Sequence, residues 1–129
     1  MGTGANMVAK KILIVEDSPI DQQRICGILT QANVNAAISI AQNGREGLEK
    51  ARSERPDLIF MDILMPEMDG FSACRKITTS PDTKDIPVVI VSVKNQPVDK
   101  VWATLQGAVA MIAKPYTDEE ILEQVANFI

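Results

Sequence analysis

At 129 residues, 46% apolar and 23% charged, the chain has the size and balance of one soluble globular domain around a single core, which excludes a disordered tail and a second domain beside it. Aromatic residues make up only 4%, so that core must be mainly aliphatic. A net charge of −4 with pI near 4.8, and no clustered Lys/Arg stripe, argue against nucleic acid as a partner, because affinity for a phosphate backbone rests on grouped cations.

The first nine residues, MGTGANMVA, have neither the basic leader nor the apolar stretch of a signal peptide and read as a loose tail (1–9) ahead of a domain at 10–129. No apolar run approaches the roughly 18 residues that cross a bilayer; no membrane contact and a cytoplasmic location are expected. A first strand is predicted at Ile12–Val15. The helix after it starts at Ser18 as N-cap with Pro19 in the first helical position, and sets Ile25, Ile28 and Leu29 on one face. Cys26 lies in this helix. With Cys74 far along the chain and no CxxC spacing, both read as free thiols of a reducing compartment.

A second strand follows at Ala37–Ala41, then a helix start at Asn43 with Glu46 three residues on. The third strand is Leu58–Met61. Asp69-Gly70 reads as turn chemistry, and Phe71, Cys74 and Ile77 make a third apolar stripe. After a fourth strand at Val88–Val91, residues Val98, Val101, Trp102 and Leu105 form a fourth apolar stripe at helical spacing. The fifth strand, Val109–Ala113, leads to Thr117 and Glu120 in capping-box spacing and to Ile121, Leu122, Val125 and Phe128 in a last helix. Its end at Ile129 is expected to leave no room for an output module.

Runs such as ILIV and VVIV are continuously apolar, as in strands covered on both faces. Five strand–helix alternations with right-handed crossovers then give a doubly wound, three-layer α/β sandwich built on a parallel sheet. In such sheets ligands bind beyond the carboxyl ends of the strands, where strand order reverses. The first strand delivers Glu16 and Asp17 to that edge, the third Asp62, the fourth Ser92 and the fifth Lys114. Three carboxylates brought together call for a positive group between them, and a hard divalent cation such as Mg²⁺ with oxygen ligands supplies it. A carboxylate left over can attack phosphorus, with Lys114 and Ser92 placed to neutralise and hydrogen-bond the phosphoryl oxygens. Taken singly, each residue also fits a plain role: Asp17 in a helix-start turn, Asp62 in a loop, Ser92 at a strand end, Lys114 before a proline. Their coincidence on one edge favours the chemistry.

These residues stand in ILIVEDS at 12–18, PDLIFMDILMPEMDG at 56–70, PVVIVS at 87–92 and GAVAMIAKPY at 107–116, and from about Lys10 to Phe128 the chain resembles the receiver domain of two-component response regulators. The resemblance implies a flavodoxin-like strand order 2-1-3-4-5 with five helices. It makes Asp62 both the phosphoacceptor and a Mg²⁺ ligand, Asp17 a direct Mg²⁺ ligand, Glu16 a ligand through water and Leu64 a ligand through its backbone carbonyl, with Ser92 and Lys114 on the phosphoryl group. It also implies a phosphohistidine donor on a histidine kinase or histidine phosphotransfer domain, which this chain, having no histidine, cannot supply itself, and a downstream protein that reads the face from the fourth strand to the fifth helix. The segment VKNQPVDKVWATLQGA is similar to receivers of type IV pilus twitching motility and phototaxis.

Two positions depart from the family. Met111 stands where Tyr or Phe usually swings with the Ser/Thr, so the expectation is a shallower difference between two states, with Met111 serving either as a switch residue or as edge-strand packing. Leu64 and Lys94 stand where side chains orient or obstruct the hydrolytic water, and since Leu64 cannot hydrogen-bond water a long-lived phosphoryl group is expected. The alternatives are a phosphate sink or a receiver-shaped interaction module that never takes phosphate. An aspartate-based phosphatase or flavin protein is disfavoured by the absence of an acid two residues after Asp62 and of a glycine-rich phosphate loop.

Overall fold

The computed structural model of the protein describes residues 9–129, so the expected N-terminal tail falls outside the described residues except for Ala9. Five strands, β1 (Lys10–Val15), β2 (Ala36–Ala41), β3 (Leu58–Met61), β4 (Val88–Ser92) and β5 (Ala110–Ala113), alternate with α1 (Pro19–Gln31), α2 (Gly44–Glu54), α3 (Gly70–Thr79), α4 (Pro97–Leu105) and α5 (Asp118–Phe128). Every pairing is parallel and the order is β2-β1-β3-β4-β5, the expected doubly wound sheet. Strand order reverses between β1 and β3, which puts the crevice there. No helix of the described residues is long and apolar enough to cross a membrane.

Successive residues of a strand face opposite ways, and here both faces are covered. Leu13 and Val15 of β1 join Leu48 and Ala51 of α2, Cys74 and Ile77 of α3 and Ala103 of α4 in one core. Ile12 and Ile14 join Ile25, Ile28 and Leu29 of α1 and Ile121 and Val125 of α5 in the other. The ILIV run is continuous because each of its residues belongs to one of these two cores.

The helix starts follow side-chain chemistry. Ser18 Oγ accepts from the Asp21 backbone N–H at 3.4 Å with Pro19 next to it, and Asn43 Oδ1 accepts from Glu46 N–H at 2.8 Å. Thr117 and Glu120 complete a reciprocal capping box. Asp69 is the N-cap of α3, accepting from Ser72 N–H at 2.8 Å, so the Asp-Gly pair marks a helix start.

The fourth apolar stripe lies on a helix, α4, but faces outward. Val98, Val101, Trp102 and Leu105 are 57, 57, 51 and 62% exposed, and the helix buries Asp99 and Ala103 instead. Asp99 and Ala103 are four apart and mark the inward face. A small alanine lets the helix lie close to Ala108 and Met111, which turns the larger apolar residues outward. Boundaries shift modestly as well: β1 begins two residues earlier than expected, β5 begins at Ala110, and Val109 is half-exposed.

Candidate functional site

Three of the expected site residues are fixed by the hydrogen bond that extends their strand by one rung. Glu16 N–H donates to Ala41 O at 2.9 Å, Asp62 N–H to Val15 O at 3.0 Å and Lys114 N–H to Ser92 O at 3.0 Å. The register Val15↔Met61 and Ser92↔Ala113 brings the strand ends level, so residues far apart in sequence arrive at one edge. Beneath Asp62 the start of α3 packs on the backbone itself: Gly70 N–H donates to Ile63 O at 2.9 Å, and a Cβ at Gly70 would come within 1.9 Å of Asp62 O. Only glycine allows that approach.

Glu16, Asp17 and Asp62 each offer a carboxylate oxygen, and these oxygens lie within 4.8 Å of one another. Glu16 and Asp62 are buried and Asp17 is exposed. An all-oxygen group of this kind, open to solvent on the Asp17 side, fits a hard cation that keeps part of its water, as Mg²⁺ does. The Asp62 carboxylate is already oriented, since Oδ1 accepts from Ile63 N–H at 2.7 Å and Oδ2 is left toward the pocket.

Lys114 is the cation of the pocket. Its Nζ donates to Glu16 Oε1 at 2.8 Å, to Asp21 Oδ2 at 3.0 Å and to Asp62 Oδ2 at 3.4 Å, which accounts for the three N–H bonds of an ammonium. Burial opposes its charge, but the hydrogen bonds to Glu16 and Asp21 and the charge of Asp62 outweigh burial and hold its pKa above the ordinary lysine value. Burial pushes Glu16 up to about 7; the bonds from Lys114 and Ser18 pull the other way, and the Asp62 charge adds to the rise. Glu16 is anchored at both ends of the residue, with Oε2 accepting from Ser18 N–H at 3.0 Å and its carbonyl from Gln22 Nε2 at 2.6 Å.

The remaining expected residues lie around this centre. Ser92 is fully buried at the end of β4, and its Oγ accepts from Lys94 N–H at 3.1 Å. Leu64 sits in the loop two residues past Asp62 with its side chain 54% exposed. Met111 is half-buried on β5, packed against the core beneath α4, and shares a cavity of about 190 Å³ with Lys100, Ala103, Thr104 and Ala108. Asp21 is the site residue that sequence reasoning missed. An acid in the first turn of a helix is sufficiently explained by the helix start, and nothing local ties it to a lysine 93 positions away.

Residues 12–126 match the family described as the response regulator receiver domain. The chain is 40% identical over 115 residues to Protein PilH of Pseudomonas aeruginosa, covering 89% of this chain and 93% of PilH. Among solved structures it is similar to the chemotaxis protein CheY4 of Vibrio cholerae, with TM-score 0.84 and 28% identity over 95% of this chain and 100% of that one. It is also similar to the receiver domain of the sensor histidine kinase PA1611 from P. aeruginosa, solved with a magnesium ion coordinated in its active-site cleft, with TM-score 0.84 and 25% identity over 94% and 98% of the two chains.

Proposed function

The chain belongs to the response regulator receiver family, and from that membership we propose that it is a single-domain response regulator that takes a phosphoryl group from a phosphohistidine donor onto Asp62. Receiver domains are signalling domains that accept phosphoryl groups from histidine kinases and act on downstream proteins, and they bind Mg²⁺ at an acidic cluster. The observation that carries the reading is the placement of Asp62 Oδ2 in one pocket with the Lys114 ammonium, 3.4 Å away, and with the carboxylates of Glu16 and Asp17.

In the proposed reaction Oδ2 forms a bond to phosphorus while the P–N bond of the phosphohistidine breaks. The bonding pair leaves with the imidazole nitrogen, which takes up a proton. Fixing Oδ1 to Ile63 N–H keeps the carboxylate from rotating and leaves one oxygen aimed for attack. Glu16, Asp17, Asp62 and the Leu64 carbonyl would hold Mg²⁺, which when bound neutralises phosphoryl charge and draws the acids together. Lys114 offers N–H bonds to a second phosphoryl oxygen and Ser92 Oγ a hydroxyl to a third, which requires Ser92 to exchange its bond from Lys94 for the phosphoryl group. Movement of Ser92 would carry the loop into α4, and the cavity beside Met111 gives that thioether room to repack, so the β4–α4–β5–α5 face is the proposed output surface. The likeness to PilH supports a place in the control of pilus-based motility, with the cytoplasm as the site of action.

The test is intact-mass measurement after incubation with acetyl phosphate, with and without Mg²⁺, on the native chain and on Asp62→Ala. One added phosphoryl group, in the native chain with metal only, is the expected result. No addition, or addition that survives in Asp62→Ala, overturns the proposal.

A further inference from the structure

We propose that Asp21 competes with the incoming phosphoryl group for the Lys114 ammonium and so restrains phosphorylation of Asp62, an inference that rests on the phosphoacceptor function proposed above. Asp21 lies in the first turn of α1, behind the Ser18 cap. Its Oδ2 takes an N–H of Lys114 at 3.0 Å, closer than the 3.4 Å of Asp62 itself. All three N–H bonds of the ammonium are therefore engaged, and a phosphoryl oxygen gains one only by displacing a carboxylate.

The three carboxylates differ in what they become. Asp62 becomes an acyl phosphate in the reaction, and Glu16 stands in the group of oxygens suited to a cation, so both have another partner once the pocket is loaded. Asp21 is outside that group and keeps its bond, so it still draws Lys114 Nζ toward α1, against the pull of the phosphoryl group, after Glu16 and Asp62 have freed the other two N–H bonds. It also adds a negative charge at the mouth of a pocket that must admit an anion. The Asp21 side chain is 33% exposed against 13% for Lys114, so solvent screens the pair and the restraint is a modest one.

The experiment measures the rate of phosphorylation by acetyl phosphate in Mg²⁺ for the native chain, Asp21→Asn, Asp21→Glu, Lys114→Gln and the Asp21→Asn/Lys114→Gln pair. Asp21→Asn is expected to react roughly two- to five-fold faster, the range of a partly exposed ion pair, and Asp21→Glu, which keeps the charge, to return toward the native rate. In the Lys114→Gln background the Asp21→Asn change should have no effect, because competition needs the ammonium. In metal-free protein the Lys114 ammonium resonance, observed by nitrogen-detected NMR, should broaden through faster solvent exchange in Asp21→Asn, while the rest of the spectrum reports an intact fold. An Asp21→Asn rate equal to or below native overturns the inference, as does an equal gain in the Lys114→Gln background, which would be general charge repulsion. If Lys114→Gln reacts too slowly to compare, an unchanged ammonium resonance is the outcome that overturns it. A native chain that takes no phosphoryl group removes the function itself, and the inference with it; a native chain that does, with Asp21→Asn indistinguishable from it, removes only the inference.

Discussion

The two sides of the pocket are built differently. Glu16, Asp17 and Asp62 follow β1 and β3, whose residues from Ile12 to Val15 and Leu58 to Met61 are at most 1% exposed and locked between two cores. Ser92 ends β4 and Lys114 follows β5, and the helix that joins those strands, α4, buries only Asp99 and Ala103 while four large apolar residues face outward. The acids are thus carried by the part of the molecule with the most buried apolar surface. The hydroxyl ends β4, a strand just as buried, but the loop that follows it leads into the part with the least. The proposed function, a site that holds a metal and changes shape on accepting charge, would gain from that division, because local opening follows the density of buried contacts.

The largest effect expected from this contrast is on stability. Phe60 is 1% exposed in β3, and Phe60→Ala should cost about 3–5 kcal/mol. Trp102→Ala removes a larger side chain from α4, yet with half of it already in solvent the cost should stay near 1 kcal/mol or less. Urea or guanidinium denaturation of both variants measures the difference, and equal losses would mean that α4 is docked as firmly as β3.

Gly70 sharpens the comparison at the acid side. Because a Cβ there would meet the backbone of Asp62 and Ile63, Gly70→Ala must push either α3 or Asp62, the proposed phosphoacceptor, at about 1–3 kcal/mol, the usual cost of overpacking. Phosphorylation by acetyl phosphate should slow as Oδ2 is displaced. A variant that loses stability but keeps the native rate would show that α3 gives way and Asp62 does not.

The acid side was legible in the sequence and α4 was only half so, for a physical reason. Glu16, Asp17, Asp62 and Lys114 directly follow apolar runs whose length and alternation with helices dictate a parallel sheet, so chain order alone brings them to one edge. Residues 98, 101, 102 and 105 have helical spacing, and α4 is a helix, but periodicity reports that a face is apolar without reporting what covers it. Ala103, which chooses the inward face by being small, leaves no mark in a hydrophobic pattern. Asp21 was hidden for a related reason: its partner is set by tertiary geometry, while its local role at a helix start already satisfies a reading of the sequence.

The smallest effect concerns the seam between α3 and α4. Cys74 is fully buried there, and its thiol donates to Gln106 O at 3.4 Å, beside Thr78 Oγ1 donating to the same carbonyl at 2.6 Å. Burial pushes the Cys74 thiol up to about 12 from an ordinary 9.0. Between those values the folded chain keeps the proton and the unfolded chain loses it, so the unfolded state binds fewer protons and stability must fall as pH rises through that window. Below pH 9 both states are protonated and the thiol contributes no slope. Tyr116, pushed up to about 12 by burial, and Lys114, held above its ordinary value by its acidic partners, act in the same direction, so Cys74→Ala should flatten the decline measured by denaturation above pH 9 without abolishing it. At pH 7 to 8 the native thiol should resist iodoacetamide, since alkylation requires the thiolate and access. Rapid alkylation of Cys74 in the folded chain would show that the seam opens far more readily than its burial implies, and that the loosely packed side of the molecule extends from α4 into α3.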